Sequence, residues 1–257
     1  MIDRRVVRGA AGVAVLLIAA ELAGRSGLID PVLLPPVSTV LAAAGGLVAD
    51  ADFLTDLWGT LTVWAIGLLT AILIAVPLGV LLGTLPRAEL AARPIVEFLR
   101  PIPSVALLPL VTLLIADGHS VKITVIVFAA SWPVLINTMY GLRDVDPVAK
   151  ETLRSFGFGR FAVLARVSVP SAAPFVLTGV RLAAAIGLVV AISAELVAGG
   201  TDGIGAFMIR AGSGLRTDLI LAATLWAGLL GLVANALLVR VQRQAFRWHT
   251  AKAGGDA

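Results

Sequence analysis

The sequence contains an apolar run over residues 57–85 without a single charged side chain. A helix that crosses the roughly 30 Å hydrocarbon core of a bilayer needs about 20 mainly apolar residues. Similar runs recur along the chain, which is 59% hydrophobic and 14% charged. Soluble domains average about 25% charged residues. The sequence therefore predicts an all-α, polytopic membrane protein.

Six stretches are candidate transmembrane helices, and they cover residues 6–24, 57–85, 101–116, 123–142, 171–197 and 219–239. The first follows Arg4, Arg5 and Arg8 and also resembles a secretory signal peptide, whose cleavage would leave five spans. We expect this helix to be retained. The third is short and rich in proline. We therefore predict about six transmembrane helices.

The distribution of Lys and Arg predicts the orientation of these spans. With the N-terminus in the cytoplasm, fifteen of these residues fall in inner segments, four in outer segments and Arg181 within a span. Because cytoplasmic loops are enriched in Lys and Arg, both termini are expected in the cytoplasm. Residues 36–56 are less apolar, and we interpret them as an interfacial helix whose Asp50, Asp52 and Asp56 keep its far end in water.

Composition excludes several classes of function. The net charge of +4 comes from basic residues between apolar runs rather than along one face, so no nucleic-acid surface is predicted. The chain has no cysteine and two distant histidines, so neither a metal site nor thiol chemistry is expected. It contains no phosphate-binding G-x-x-x-x-G-K-[ST] loop and no G-x-S-x-G motif. We expect a protein without catalytic residues or cofactor, not an enzyme.

The longest predicted inner loop, residues 143–170, has the pattern of a short helix that ends at a glycine turn. Asp146 can accept from the first free amides, and Pro147 suits the first helical turn. Gly157 and Gly159 are predicted to end this helix, and Arg160 to begin a second one.

Spacing alone leaves two interpretations of this loop. Leu153 and Phe156 are three residues apart and share one side of the helix. An amphipathic helix that rests on lipid headgroups would show this pattern, and so would a rigid protrusion that fits a socket on a soluble partner. Pro170 is expected to begin the next membrane helix.

The same loop resembles the Glu-Ala-Ala motif of ABC importer permeases. Glu151, Gly157 and Pro170 match the spacing of E-A-A, three residues, G, nine residues and I-x-L-P. Four positions of the motif differ in residue type: Thr152, Leu153, Val167 and Val169. Other segments resemble the nitrate/sulfonate/taurine/bicarbonate branch of that family, in the same order: residues 33–36, 98–103, 107–110, 136–138, 145–147, 177–182 and 194–195. The outer turn at residues 116–120 departs from the Phe-Gly-Ile-Gly-Glu-like sequence usual in the branch.

The resemblance implies a type I ABC importer transmembrane domain in a bacterial cytoplasmic (inner) membrane. It implies a second permease copy in a homodimer, two ABC ATPase subunits, an extracytoplasmic solute-binding protein and a small solute of the branch's kind. The implied ATPase-coupling residues are Asp146, Pro147, Glu151, Leu153, Phe156, Gly157, Gly159, Arg160, Val167 and Pro170. We divide the chain into an N-terminal helix with the interfacial helix (1–56), a permease core (57–247) and a flexible cytoplasmic tail (248–257).

Three residues within spans are candidates for a translocation path or gate. Glu195 is ionisable, and such groups are costly in lipid and often functional, although it could simply reach interfacial water. Asn137 could line the path or bond between helices, and Trp132 could form a path wall or pack inside. Small residues at 179–194 would permit close helix contact, at a dimer axis or inside one subunit.

A secondary, ion-coupled transporter or a channel subunit is the main alternative. Ion-coupled carriers usually need intramembrane carboxylates or broken-helix ion sites, and this chain offers Glu195. Such a carrier would run on an ion gradient without ATP.

Overall fold

The computed structural model describes residues 4–27, 30–198 and 202–245, and every regular element in these ranges is helical. The elements are α1 (Arg4–Arg25), α2 (Val37–Gly46), a 3-10 turn (Leu47–Ala49), α3 (Ala51–Thr84), α4 (Pro86–Leu99), a second 3-10 turn (Ser104–Leu107), α5 (Leu108–Leu114), α6 (Gly118–Arg143), α7 (Pro147–Ser155), α8 (Arg160–Val163), a π-helical turn (Leu164–Ser168), α9 (Val169–Ala198), α10 (Ile204–Ser213) and α11 (Thr217–Ala245). The tail predicted at 248–257 and His249 lie outside the described residues.

Four helices of the described residues are long and apolar enough to cross a membrane. They are α3, α6, the continuous segment Arg160–Ala198 and α11, and they correspond to the second, fourth, fifth and sixth predicted spans, of which the second ends one residue beyond α3. The first predicted span is a helix, Arg4–Arg25, and its insertion in the membrane stays a prediction. Helix α3 already begins at Ala51, so the interfacial helix is shorter than predicted and the boundary placed at residue 56 falls inside α3.

The third predicted span differs from the expectation of a short helix at 101–116. Helix α4 and the segment Ser104–Leu114 are together long and apolar enough to cross a membrane, but they meet at an angle of 83°. Helix α5 has seven residues and therefore rises only about 10 Å, too little to cross a bilayer alone. Pro101 and Pro103 cannot donate backbone hydrogen bonds, which explains why the chain bends here. The chain thus has five candidate spans among its described residues if this bent pair is one of them.

The chain divides into two compact units, of which the first comprises residues 1–60 and 199–230. Its core is formed by Leu47, Phe53, Ile204, Phe207, Met208, Ala211, Ala222 and Ala223. The rings of Phe53 and Phe207 meet edge to face, with centroids 5.1 Å apart. Trp226 packs beside Phe53, and its indole Nε1 donates to the Ala44 carbonyl at 3.0 Å. These contacts hold α10 against the start of α3 within this unit.

A buried carboxylate holds the N-terminus of α10 in the first unit. Asp56 is 3% exposed, accepts from the Gly203 backbone N–H at 2.9 Å and forms an ion pair with Arg210. The Thr60 hydroxyl accepts from the Ile204 N–H at 2.9 Å. Two of the free amides at this helix start therefore have partners from α3. The prediction that Asp56 lies in water at the end of an interfacial helix was wrong, because its carboxylate is buried and binds the Gly203 amide and Arg210.

The second unit comprises residues 61–198 and 231–257, and α6 and α9 pack closely along their length in it. Glycines allow this approach, since a Cβ on Gly179 would lie 2.8 Å from the Pro133 carbonyl oxygen and 2.9 Å from the Cβ of Asn137. A glycine also permits the contact between α3 and α6, since a Cβ on Gly79 of α3 would lie 2.6 Å from the Cβ of Thr138 on α6. Ala183 and Ala184 are buried in the same core. Gly179, Ala183 and Ala184 thus serve packing inside one subunit, whereas Ala185 on the same helix is exposed.

We expect Gly179→Ala to lower the free energy of unfolding by about 1–3 kcal/mol, because backbone and Cβ atoms must move to admit the methyl group. Gly187→Ala on the same helix is the matched control, since its new Cβ would meet nothing nearer than 3.4 Å. Thermal unfolding of the purified chain in detergent measures the difference. Equal melting temperatures for the two variants would contradict the packing argument.

Asp56→Ala is expected to destabilise the first unit by about 1–3 kcal/mol, since it removes the acceptor of the Gly203 amide and the carboxylate paired with the half-exposed Arg210. The exposed neighbour Asp52 provides the control, and Asp52→Ala should change the free energy by less than about 0.5 kcal/mol. Limited proteolysis of the segment 202–216 reports on this unit. Equal cleavage rates in the two variants would show that Asp56 does not hold α10.

Candidate functional site: the exposed segment between α6 and α9

Helix α7 begins as the sequence predicts. Asp146 precedes it, and its Oδ1 accepts from the Val148 backbone N–H at 2.8 Å. Pro147 is the first helical residue, where a missing N–H costs no hydrogen bond. Both interactions are local, which explains why residue types and spacing were enough to place this helix start.

Helix α7 ends in a glycine turn with two specific hydrogen bonds. Gly157 adopts a left-handed conformation with φ of +84°. Its N–H donates to the Arg154 carbonyl at 2.9 Å, and the Phe158 N–H donates to the Leu153 carbonyl at 3.1 Å. This is the Schellman pattern, which fixes the direction of the chain after the helix. The helix therefore leads into a defined turn rather than a free loop.

Gly159 does not share this role. Its φ of −68° and ψ of 167° are ordinary extended values, and it precedes the first residue of α8, Arg160. The prediction that both glycines end α7 is therefore correct for Gly157 and wrong for Gly159. Their spacing alone did not distinguish the two, since only the backbone conformation shows which position needs a glycine.

The segment carries large apolar side chains in exposed positions. Helix α7 has no buried residue, and Glu151 on it is exposed. Phe156 is 77% exposed and Phe161 87%, whereas Leu153 is half-buried. Phe158 is covered by the Arg166 guanidinium, 4.9 Å above its ring. Exposed aromatic side chains in this position suit contact with a soluble partner or with lipid headgroups, the two alternatives left by the sequence.

Sequence reasoning missed Phe161. The signal was present, because Phe161 directly follows the residue that starts the helix after the glycine turn. Its position in the sequence does not show whether it faces solvent, because exposure depends on how the helix packs against residues distant in the chain.

The base of the segment is attached to both spans of the second unit. Val145 is buried, and the Lys150 ammonium donates to the Leu142 carbonyl at 3.3 Å. On the other side, the helix of the fifth span runs without a break from Arg160 to Ala198. The helix of the fifth span therefore extends back into the predicted loop 143–170, and Pro170 is the second residue of α9 rather than its first.

A π-helical turn, Leu164–Ser168, precedes Pro170. Pro170 has no N–H to donate to the carbonyl of Arg166, which removes one α-helical hydrogen bond there. Local π turns are a common way to accommodate such an interruption. Val167 lies half-buried in this turn, and Pro170 is exposed.

The three candidate path residues do not form one site. Asn137 on α6 lies against Gly179 on α9, whereas Glu195 lies sixteen residues further along α9. At 1.5 Å per residue, this separation is about 24 Å. If both line a path, they lie toward opposite ends of it.

Glu195 is 1% exposed, so the alternative that it simply reaches interfacial water was wrong. Lys122, near the start of α6, is 4% exposed. Both residues make polar interactions with other groups. They flank members of the same apolar cluster, Val121 and Ala194. Two buried, oppositely charged side chains therefore lie at this end of α6 and α9.

Asn137 and Trp132 have different surroundings. The Asn137 amide donates to the Pro133 carbonyl of its own helix at 2.8 Å, so the structure shows no interhelical bond from this donor. Its side chain lines a cavity of about 490 Å³ together with Tyr140, Arg143, Asp144 and Phe175. Trp132 packs edge to face with Phe128, and its buried Nε1 has no hydrogen-bond acceptor among the described residues.

The start of α6 is capped outside the membrane-spanning core. The Asp117 Oδ2 accepts from the Ser120 N–H at 2.8 Å. Hydrogen bonds from the Ser120 side chain and backbone hold the pKa of the Asp117 carboxyl below its usual range. No group of three His, Cys, Asp or Glu side chains in residues 4–27, 30–198 and 202–245 is arranged to hold a metal ion.

The described residues thus form apolar helices long enough to cross a membrane, with an exposed helix, α7, fixed by a glycine turn between two of them. The sequence profile of the "Binding-protein-dependent transport system inner membrane component" family matches residues 67–247, and the chain belongs to this family.

Several permease proteins are similar to this chain over two thirds of its length or more. The taurine transport system permease protein TauC of Escherichia coli is 31% identical over 253 residues, which cover 96% of this chain and 92% of TauC. A protein of Bacillus subtilis named "Putative aliphatic sulfonates transport permease protein SsuC" is 27% identical, over 94% of this chain and 87% of its own length. The nitrate import permease protein NrtB of Leptolyngbya laminosa is 33% identical over 68% of this chain and 62% of its own length.

Solved structures show the same fold. The MetNI methionine ABC transporter in an inward-facing form matches with a TM-score of 0.66 and 18% identity, over 74% of this chain and 94% of that chain. A bacterial ABC transporter that imports alginate matches with a TM-score of 0.66 and 15% identity, over 95% of this chain and 94% of that chain. The predicted type I ABC importer fold is confirmed. The chain is a multi-pass membrane permease subunit of an ABC importer, and ATP hydrolysis belongs to a separate subunit.

We expect Gly157→Ala to weaken the turn after α7 by about 1–2 kcal/mol, because a side chain is strained at φ of +84° although no atom lies in its way. Gly159→Ala is the control, with equally open surroundings and an ordinary backbone conformation. Hydrogen exchange of the amides in 147–158 measures the opening of the turn. Equal exchange in both variants would show that the Schellman turn does not stabilise α7.

Proposed function

We propose that this permease couples ATP hydrolysis on a partner to transport through the segment 146–170. The observation that carries this proposal is the exposed helix α7, with Phe156 and Phe161 at its C-terminal side, joined through short connections to α6 and α9. A force on α7 would reach both helices, because the turn at Gly157 is fixed by two backbone hydrogen bonds. Rigid-body motion of packed helices is an established type of conformational transition.

The residues proposed to meet the ATPase are those of the predicted coupling loop. Phe156 and Glu151 are exposed and available for contact, and so is Arg160. Asp146, Pro147 and Gly157 set the geometry of the helix, and Leu153, Val167 and Pro170 support its base. Phe161 joins this set because of its exposure.

The assembly proposed here contains two permease copies, two ATPase subunits and an extracytoplasmic solute-binding protein. The family description supports a binding-protein-dependent system. The bias of Lys and Arg toward alternate loops supports a cytoplasmic location for α7 and for both termini in a bacterial inner membrane. An ATPase partner requires this side of the membrane, because ATP is available there.

The proposed solute is a small oxyanion or a zwitterion that carries an oxyanion group. The relatives named above are described as permeases for taurine, nitrate and aliphatic sulfonates. Sulfonates and nitrate share a delocalised negative charge over several oxygens. We propose that Asn137 and Trp132 on α6 and Glu195 on α9 lie along the route of such a solute, with Glu195 in a gate at the end remote from α7.

Phe156→Ser is expected to weaken association with the ATPase by about fivefold or more, since removal of a central aromatic anchor typically costs over 1 kcal/mol. Stimulation of ATPase activity by the loaded binding protein, measured in proteoliposomes, should fall in parallel. Ser155→Ala is the matched control on the same helix. The Ser155 hydroxyl donates to the Glu151 carbonyl of its own helix, and Ser155 is not among the residues proposed to meet the ATPase.

An unchanged ATPase stimulation and uptake rate in Phe156→Ser would contradict the proposal. Uptake that continues on an ion gradient in the absence of ATP would favour an ion-coupled carrier instead. The elution volume of each variant in size-exclusion chromatography verifies that the membrane domain is folded.

A further inference from the structure

Two cavities in the second unit share the side chains of Tyr140 and Arg143. The larger one, of about 490 Å³, is the cavity that Asn137 also lines. The smaller one, of about 250 Å³, lies between α4 and α6. Its lining consists of Leu82, Glu89, Ala92, Arg93, Val96, Glu97, Arg100, Ile136, Met139, Tyr140 and Arg143. Both volumes exceed the roughly 30 Å³ that a water molecule occupies in the liquid.

An ion pair between Arg143 and Glu89 forms part of this lining and connects α6 to α4. Both side chains stay partly exposed, at 42% for Arg143 and 26% for Glu89. Ion pairs in contact with solvent contribute little and exchange partners readily. Arg143 is therefore held in place but remains available to a stronger or better-placed anion.

Arg100 supplies a second cation to the same cavity. In the described part of the chain, its guanidinium makes no ion pair and no side-chain hydrogen bond. Arg93, the third arginine of the lining, is paired with Glu97 at 2.7 Å. The hydroxyl of Tyr140 likewise has no hydrogen-bond partner among residues 4–27, 30–198 and 202–245. Two guanidinium groups and one hydroxyl thus offer donors to a shared space.

We propose that this cavity pair is a binding site for an oxyanion group, which takes Arg143 from Glu89 and is also contacted by Arg100. A guanidinium binds two oxygens of a sulfonate, nitrate or phosphate in parallel, a geometry that a lysine ammonium does not offer. Tyr140 lies between the two cavities and donates from its hydroxyl. Asn137, a residue of the proposed route, lines the larger of the two cavities.

This inference rests on the proposed function in its choice of ligand, because the transported solute would reach this site before release. Phosphate groups of anionic lipids carry the same chemistry. Helix α4 exposes Leu90 and Phe98, so its surroundings include an apolar surface on which lipid could lie. The shared feature is the oxyanion, and the experiment below separates the two sources.

Tyr140 is the single tyrosine of the 257-residue chain, so fluorotyrosine labelling places one fluorine resonance in the site. The full-length labelled permease is reconstituted in phosphatidylcholine nanodiscs and titrated with sodium methanesulfonate, with sodium chloride at equal ionic strength as the reference. We expect a saturable change in the fluorine chemical shift with methanesulfonate alone. Binding should be lost in Arg143→Gln.

Glu89→Gln gives a second, opposite expectation. It removes the anion that competes for Arg143, so the dissociation constant for methanesulfonate should fall by about two- to fivefold. Arg87→Gln is the matched control, because it removes a positive charge from α4 at a residue outside the cavity lining. Its dissociation constant should equal that of the unchanged protein.

A second arm uses nanodiscs with phosphatidylglycerol and no methanesulfonate. A shift here that disappears in Arg143→Gln, without any response to methanesulfonate, supports the site and assigns it to a lipid phosphate. No shift in either arm, a shift that persists in Arg143→Gln, or weaker binding in Glu89→Gln would overturn the proposal. The readout needs no ATPase, so failure of ATP-driven uptake with intact binding would count against the proposed function only.

Discussion

The close approach of α6 to α9 is the contact on which the second unit and its exposed segment depend. It requires glycine at position 179, where any side chain would meet the backbone of α6. In a membrane, helices gain little from hydrophobic association, so close van der Waals packing of small residues becomes a main source of stability. Because α7 lies between these two helices in the chain, their tight packing also fixes the two ends of the exposed segment.

In the first unit, polar side chains of α3 hold the start of α10. Asp56 and Thr60 on α3 provide acceptors for amides at the start of α10, in place of the capping residue that α10 lacks. Buried amides without acceptors are costly, and the cost increases in an apolar environment. The carboxylate and Arg210 neutralise each other, which explains how a charge is accommodated at a buried position.

The charges of the second unit differ in their availability. Lys122 and Glu195 are almost completely buried between α6 and α9, as expected for groups with fixed partners. Arg143 and Glu89 lie beside cavities and stay partly exposed, and Arg100 adds a further cation. The two ends of α6 therefore differ in their charged side chains. Lys122 at its start is buried, and Arg143 at its end, next to α7, forms an ion pair that solvent can reach.

Local interactions explain which features the sequence alone determined. The long apolar runs specified helices, and Asp146, Pro147 and Gly157 specified the start and end of α7, since caps and turns depend on neighbouring residues. The sequence order of the motifs also identified the family. Tertiary structure decided that Asp56, Lys122 and Glu195 are buried, that Phe161 is exposed and that α4 joins the bent third span, because these properties depend on residues distant in the chain. It also placed Glu89 of α4 beside Arg143 of α6, because the chain bends between these two helices.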